Sequence, residues 1–160
     1  MTRIYIGTYA HYNSGSLKGE WLDLPCRDLD SELLRIFGEG DHEYMIQDSE
    51  SEFPIKECEN LEKLNEFAQE FENLSEHDQA KVIYMIDDLG YSRDDAMANY
   101  DDVTFYEGQD LEQVAESMVD DGCFGTIPES LIHYIDYAAI ARDLRCDGYV
   151  ETSNGVFHCP

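Results

Sequence analysis

The segment from Leu131 to Leu144 reads LIHYIDYAAIARDL, and it decides how the last part of the chain is expected to fold. The residues before it, Thr126-Ile-Pro-Glu129, have capping-box spacing with a proline just inside the start. A helix is therefore expected to begin there, with Leu131 and Ile135 on one of its faces.

Asp136 has the features of a second N-cap within the same segment. Apolar residues follow it at the i, i+3, i+4 and i+7 spacing of a helix face, namely Tyr137, Ile140, Ala141 and Leu144. We therefore predict two short helices with a break near Asp136. Arg142 and Arg145 are the only Lys or Arg residues after Arg93. Their planar guanidinium groups suit carboxylates, either within the chain or across a subunit boundary.

The composition excludes several classes of protein. The 160 residues include 36 acidic and 10 basic ones, for a formal net charge of −26. Residues 1–58 hold 12 acidic and 5 basic residues, 59–103 hold 13 and 3, and 104–160 hold 11 and 2, so the charge belongs to the whole surface. With 42% hydrophobic residues the chain is not a disordered acidic tail. We expect it to avoid nucleic acid and membranes and to attract basic partners.

Hydrophobic periodicity and turn residues predict a mixed α+β fold. Three parts are expected: an α+β part over 1–59, a helical part over 60–102, and an α+β part over 103–160 that contains the 131–144 segment. Strands are expected at Arg3–Tyr9, Gly19–Leu24, Tyr44–Ile46, Val103–Tyr106, Tyr149–Thr152 and Val156–His158, with 48–52 as a loop. Helices are expected after the N-caps Asp28, Asn60, Ser75 and Asp110, and a short one after Ser92.

Two acidic stripes run along predicted helices at i, i+4 and i+8. One consists of Glu62, Glu66 and Glu70, and the other of Glu112, Glu116 and Asp120. Like charges at this spacing destabilise a helix by roughly 0.2–0.5 kcal/mol per pair, and alternating Glu and Lys would serve solubility better. Further candidates for the same anionic surface are Asp87, Asp88, Asp94, Asp95, Asp101, Asp102 and Asp121. The simpler alternative is a solvated acidic face, as in a salt-adapted protein.

Motifs for catalysis or cofactor binding are missing from the sequence. No nucleophile elbow, phosphate-binding glycine loop, HExxH or dinucleotide fingerprint occurs. A calcium-like spacing of Asp48, Glu50, Glu52 and Glu59 lacks the required glycine, because Phe53 stands there. The five cysteines are odd in number and far apart, which favours reduced thiols and a cytoplasmic location. We expect no enzyme activity, no metal and no cofactor.

Several stretches resemble the ArdA family of antirestriction proteins. They are Leu131, Tyr134-Ile-Asp136 and Arg142-Asp143-Leu144, the opening IYIGTYAHYNSGSLKGEWLDL, and the near-terminal Asn154-Gly-Val-Phe157. The resemblance implies an elongated protein of three small subdomains that forms a homodimer through its C-terminal region. Its carboxylates would imitate the phosphates of bent B-form DNA. Such proteins, carried by conjugative plasmids and transposons, inhibit type I restriction-modification enzymes in the groove formed by the specificity and methyltransferase subunits.

The resemblance also suggests roles for the 131–144 segment. Leu131, Tyr134, Ile135 and Leu144 would support the dimer or the local fold, and Arg142 would order nearby carboxylates. Two alternatives remain. One is an acidic adaptor for another basic protein, such as a nucleoid protein, and the other is a salt-adapted enzyme with an unrecognised site.

Overall fold

The computed structural model describes residues 1–16, 18–40 and 42–160. These form two compact units, Met1–Met97 and Ala98–Pro160, each of which mixes helices with an antiparallel sheet. The predicted α+β class is therefore confirmed. The finer division into three parts at 59 and 102 stays a prediction.

The first unit is built on a three-stranded sheet. Strands β1 (Thr2–Thr8), β2 (Gly19–Leu24) and β3 (Tyr44–Glu50) are arranged in the order β2-β1-β3, with β1 antiparallel to both neighbours. One face of the sheet carries the core residues, because side chains alternate between the two faces of a strand. Ile4, Ile6, Leu22 and Leu24 are buried there.

Two local expectations for this sheet were wrong. Residues 48–50 belong to β3 rather than to a loop, since Arg3 and Glu50 are paired across the ladder. Their polar character reflects a strand with an exposed face and not a turn. Tyr9 does not end β1 but begins a short helix, α1 (Tyr9–Asn13). Thr8 caps this helix, because its hydroxyl accepts from the backbone N–H of His11 at 3.2 Å.

Four more helices follow, and their predicted N-caps are confirmed, including Ser92, whose hydroxyl accepts from the Asp95 N–H at 3.1 Å. The helices are α2 (Leu29–Phe37), α3 (Leu61–Glu72), α4 (Glu76–Asp87) and α5 (Arg93–Asn99). The side chains of Asp28, Asn60 and Ser75 accept hydrogen bonds from backbone N–H groups three residues later. Gly38 ends α2 with a φ of 79°, a conformation that favours glycine.

The second unit packs two helices against a small sheet. It contains a 3₁₀ turn (Tyr100–Asp102), β4 (Thr104–Glu107), α6 (Leu111–Asp120), α7 (Glu129–Ile132), α8 (Tyr137–Cys146), β5 (Tyr149–Thr152) and β6 (Gly155–His158). The sheet order is β4-β6-β5, and the β5–β6 hairpin turns at residues 153–154. The core joins α6, α8 and β6 through Leu111, Val114, Ala115, Ala141, Leu144 and Val156.

The predicted break at Asp136 is confirmed, but the start of α7 was predicted wrongly. Pro128 is the N-cap of α7 and has no side-chain cap hydrogen bond, so Thr126 does not begin this helix. The helix ends at Ile132, and Ile135 therefore lies beyond the face it was expected to share with Leu131. A single turn is too short to present that face.

Candidate acidic binding surface

Every acidic residue that the sequence suggested for the anionic surface is exposed in the structure. The set comprises Glu62, Glu66, Glu70, Asp87, Asp88, Asp94, Asp95, Asp101, Asp102, Glu112, Glu116, Asp120 and Asp121. These carboxylates are therefore available to a partner. Their exposure by itself does not tell a specific surface from a solvated one.

The two predicted stripes lie on the faces of α3 and α6 that point away from the cores. On α3, Glu62, Glu66 and Glu70 lie opposite a buried set that includes Leu64, Phe67 and Phe71. A four-residue step along a helix is about 6 Å, so each stripe is a row of anions at that spacing. Neighbouring charges in such a row repel each other.

Helix α6 carries its stripe, Glu112, Glu116 and Asp120, without any Lys or Arg in the same helix. Its N-terminus has the predicted cap at Asp110, whose carboxylate accepts from the Gln113 N–H at 2.8 Å. In return, the Gln113 side chain accepts from the Asp110 N–H at 3.0 Å, which completes a capping box. The helix is thus held by its cap and its buried face, in spite of the repulsion along its outer face.

Acidic residues also stand at helix C-termini, where they are electrostatically unfavourable. Asp87 ends α4 and Asp88 is its C-cap, while Asp120 and Asp121 hold the same positions in α6. The C-terminal end of a helix carries a partial negative charge that favours cations. Burial, followed by the neighbouring Asp88, raises the pKa of the Asp87 carboxyl above its ordinary value. These four positions therefore carry anions at a cost to stability.

The structure separates the 131–144 segment into a buried part and an exposed part. Asp136 is the N-cap of α8, with its carboxylate accepting from the Ala139 N–H at 2.9 Å. Leu144 is only 5% exposed and packs in the core of the second unit. Leu131 and Tyr134, in contrast, are 52% and 83% exposed. The resemblance between this segment and the family thus covers both scaffold residues and an accessible apolar surface.

The two arginines of α8 differ in their contacts. Arg145 donates to the Glu151 carboxylate at 3.0 Å. Arg142 and Asp143 are both exposed, and Arg142 has no ion pair with any residue that the structure describes. Arg142, Arg145 and Glu112 line the same open depression of about 400 Å³. The role of Arg142 in ordering carboxylates stays a prediction.

Two exposed apolar residues, one before this segment and one within it, were not among the residues predicted from the sequence. Phe124 is 53% exposed and Ile132 is 40% exposed. A signal for Phe124 existed, because it stands between Gly122 and Gly125, where the chain has no periodic apolar neighbours. Together with Leu131 and Tyr134 they increase the accessible apolar area of the second unit.

Within residues 1–16, 18–40 and 42–160, no group of three or more His, Cys, Asp or Glu side chains could hold a metal ion. The five cysteines are free. No described helix has both the length and the apolarity needed to cross a bilayer.

Fold and surface together define a small α+β protein whose helices expose rows of carboxylates. The family model for the antirestriction protein ArdA matches residues 4–158, and the chain belongs to that family. The predicted family is thereby confirmed. Membership implies an antirestriction function, and the family is one of non-catalytic inhibitors. A search of curated proteins gave no match.

Proposed function

We propose that the protein is a DNA mimic that blocks a type I restriction-modification enzyme by competition. It would occupy the DNA-binding groove formed by the specificity and methyltransferase subunits. Lys and Arg side chains that normally contact phosphates would pair with its Asp and Glu side chains. Conjugating DNA that carries the gene would then escape cleavage in a new host. One observation carries this proposal: exposed anions stand at positions where they lower the stability of the fold, on the stripes of α3 and α6 and at the helix C-termini.

Charge density supports the proposal at the scale of the whole chain. Duplex DNA presents one charge per roughly 1.7 Å of its axis, so 26 net charges correspond to roughly 44 Å of duplex. A single stripe, with an anion every ~6 Å, is sparser than one DNA strand, with a phosphate every ~3.4 Å. Several helices must therefore contribute to the mimic.

Homodimerisation through the C-terminal region belongs to the same proposal. Leu131 and Tyr134 expose apolar surface that a second copy would cover. Arg142, which has no ion pair with a described residue of its own chain, would find a carboxylate of the partner. Sedimentation of a Leu131→Asp and Tyr134→Asp double variant tests this: we expect a monomer, and an unchanged dimer would contradict the assignment of these residues.

A competition gel shift tests the mimicry itself. Increasing amounts of the protein are added to a complex of a type I methyltransferase, its cofactor and its cognate DNA at low salt. We expect the protein to displace the DNA stoichiometrically. A complex that stays intact, while the protein binds another basic protein such as a nucleoid protein, would instead support the acidic adaptor.

Grouped substitutions test whether inhibition depends on the arrangement of the anions or only on the net charge of the protein. The variant Glu112→Gln, Glu116→Gln and Asp120→Asn neutralises the α6 stripe, and the control Glu39→Gln, Glu43→Gln and Glu52→Gln removes the same charge from exposed residues outside it. We expect the stripe variant to lose more inhibition than the control, and further neutralisation to erode the remainder gradually. One carboxylate whose loss abolishes inhibition without unfolding would indicate a discrete site instead.

A further inference from the structure

The first sheet has one face that its helices do not use as a core. Opposite the buried Ile4 and Ile6, the ladder registers place Arg3 between Asp23 and Glu50, and Tyr5 between Trp21 and Asp48. We call these six residues, Arg3, Tyr5, Trp21, Asp23, Asp48 and Glu50, the Trp21 face. The side chains of Arg3, Asp23 and Glu50 are 39%, 62% and 64% exposed, so this face of the sheet is open to solvent.

Two aromatic rings form the floor of the Trp21 face. Tyr5 and Trp21 are edge to face, with ring centroids 5.5 Å apart. Gly19 makes this possible: a Cβ atom there would lie 2.6 Å from the Tyr5 ring, so any side chain would displace the ring. Trp21 is the only tryptophan of the chain. Trp21 is half-buried on this open sheet face, and Trp, Tyr and Arg are the residue types enriched among those that dominate the energetics of protein interfaces.

Arg3 shows which chemistry this face accommodates. Its Nε lies 2.8 Å from Asp23 Oδ1, and its Nη1 lies 3.4 Å from Glu50 Oε2. Its guanidinium carbon is 5.1 Å from the centroid of the Trp21 ring. A guanidinium between carboxylates and above an aromatic ring combines ion pairing with a cation–π contact. The contacts of Arg3 thus show that a guanidinium fits against these carboxylates and this ring.

We propose that the Trp21 face is a docking surface for an arginine-bearing segment of the target enzyme. This rests on the proposed function, because it takes the target to be a basic DNA-binding groove. Charge complementarity selects this occupant: the face holds three carboxylates and one cation within a chain of net charge −26. The aromatic rings of this face supply a cation–π contact, which a phosphate cannot make. The protein would therefore bind arginines of the groove through a contact that the DNA phosphates do not provide.

The first test removes the Arg3 guanidinium from this face. Arg3→Gln uncovers the face of the Trp21 ring and removes the ion pairs of Asp23 and Glu50. The matched control is Arg35→Gln, which also releases two carboxylates, since Arg35 pairs with Glu20 at 2.6 Å and Glu32 at 2.9 Å and has no aromatic ring beside it among the described contacts. Both variants change the net charge equally. We expect Arg3→Gln to inhibit the enzyme at lower concentration than Arg35→Gln, and equal inhibition by the two would overturn the proposal.

The second test removes the aromatic floor. Trp21→Leu keeps an apolar side chain but loses the large ring, whereas Trp21→Phe keeps a ring. In the DNA competition assay we expect Trp21→Leu to be about 3- to 30-fold weaker than the wild type and Trp21→Phe to remain close to it. The loss should persist when salt is raised, because contact with a ring is screened less than exposed charge pairs. Thermal unfolding of both variants shows whether the sheet is intact.

The outcomes distinguish this inference from the proposed function. If the wild type displaces DNA while an intact Trp21→Leu protein is equally potent, the docking surface is refuted and the mimic stands. If the wild type does not displace DNA, the proposed target is wrong. Should Trp21→Leu unfold, the comparison of Arg3→Gln with Arg35→Gln decides alone.

Discussion

Arg93 shows how this acidic chain uses a cation inside its fold. Its guanidinium binds Glu59 through both carboxylate oxygens, at 2.6 and 3.2 Å, and donates to the carbonyl oxygen of Pro54. It also lies over the rings of Phe53 and Phe67, at 5.2 and 5.3 Å from their centroids. The side chains of Arg93 and Glu59 are only 19% and 17% exposed. Such a bidentate, stacked arrangement requires arginine.

We expect Arg93→Lys to lower the free energy of unfolding by about 1.5–3 kcal/mol, because an ammonium group replaces neither the fork nor the stacking. Urea unfolding followed by circular dichroism measures the change. The control Arg35→Lys alters an exposed pair and should cost less than about 1 kcal/mol. An equal loss for both would show that the burial of the Arg93 pair has no energetic weight.

Sequence reasoning at this scale directed attention to Arg142 and not to Arg93. The reason is separation along the chain: Glu59 is 34 residues from Arg93, and no local pattern connects them. Exposure of the acidic candidates was predictable, because each lies on the polar side of a helix pattern or in a turn.

At the scale of elements, the junction between α7 and α8 depends on one carboxylate. The side-chain oxygen of Asp136 accepts from the Ala139 N–H at 2.9 Å, and the same N–H also donates to the Asp136 carbonyl oxygen at 3.1 Å. The core residues Ala141 and Leu144 follow on the same helix. Loss of the cap would therefore loosen the helix that completes the core of the second unit.

We expect Asp136→Ala to destabilise the protein by about 1 kcal/mol, and Asp136→Asn to retain most of the stability, since asparagine also caps helices well. Chemical unfolding of the two variants measures the difference. The pair also separates capping from charge, because both substitutions remove the same carboxylate. A similar loss in both would assign the effect to charge.

The α6 stripe gives a prediction in which stability and function change in opposite directions. Glu116→Lys converts two repulsive pairs, with Glu112 and Asp120, into attractive ones and should raise stability by roughly 0.8–2 kcal/mol. The same change should weaken inhibition if the stripe contacts a basic groove. Thermal unfolding and the DNA competition assay are measured on one preparation. Improved stability with unchanged inhibition would make the stripe an ordinary solvated face.

For the whole molecule, the net charge of −26 acts on folding and on binding in opposite ways. Salt shortens the range of electrostatic interactions from ~10 Å at 0.1 M to ~3 Å at 1 M. We expect added sodium chloride to raise the thermal midpoint by screening self-repulsion and to weaken displacement of DNA from the target. Unfolding in dilute buffer would instead indicate a salt-adapted protein. Salt-independent inhibition would contradict a surface that acts through charge.

The sequence alone determined the features whose causes are local. The caps at Asp28, Asn60, Ser75, Asp110 and Asp136 each depend on hydrogen bonds that span three residues. Helix faces depend on a 3.6-residue period, and the family resemblance depends on short stretches of residues. These features could be predicted because every atom involved lies within a few residues.

Only the tertiary structure decided the features that join distant residues. Polar residues 48–50 belong to β3 because they pair with β1 across the ladder. Tyr9 lies outside β1 and begins α1. The Trp21 face exists because three strands with a particular register bring Asp23, Arg3 and Glu50 side by side. A shift of one residue would move a strand's side chains to the opposite face of the sheet. The residues of one strand do not by themselves identify which residue of a distant strand lies beside each of them.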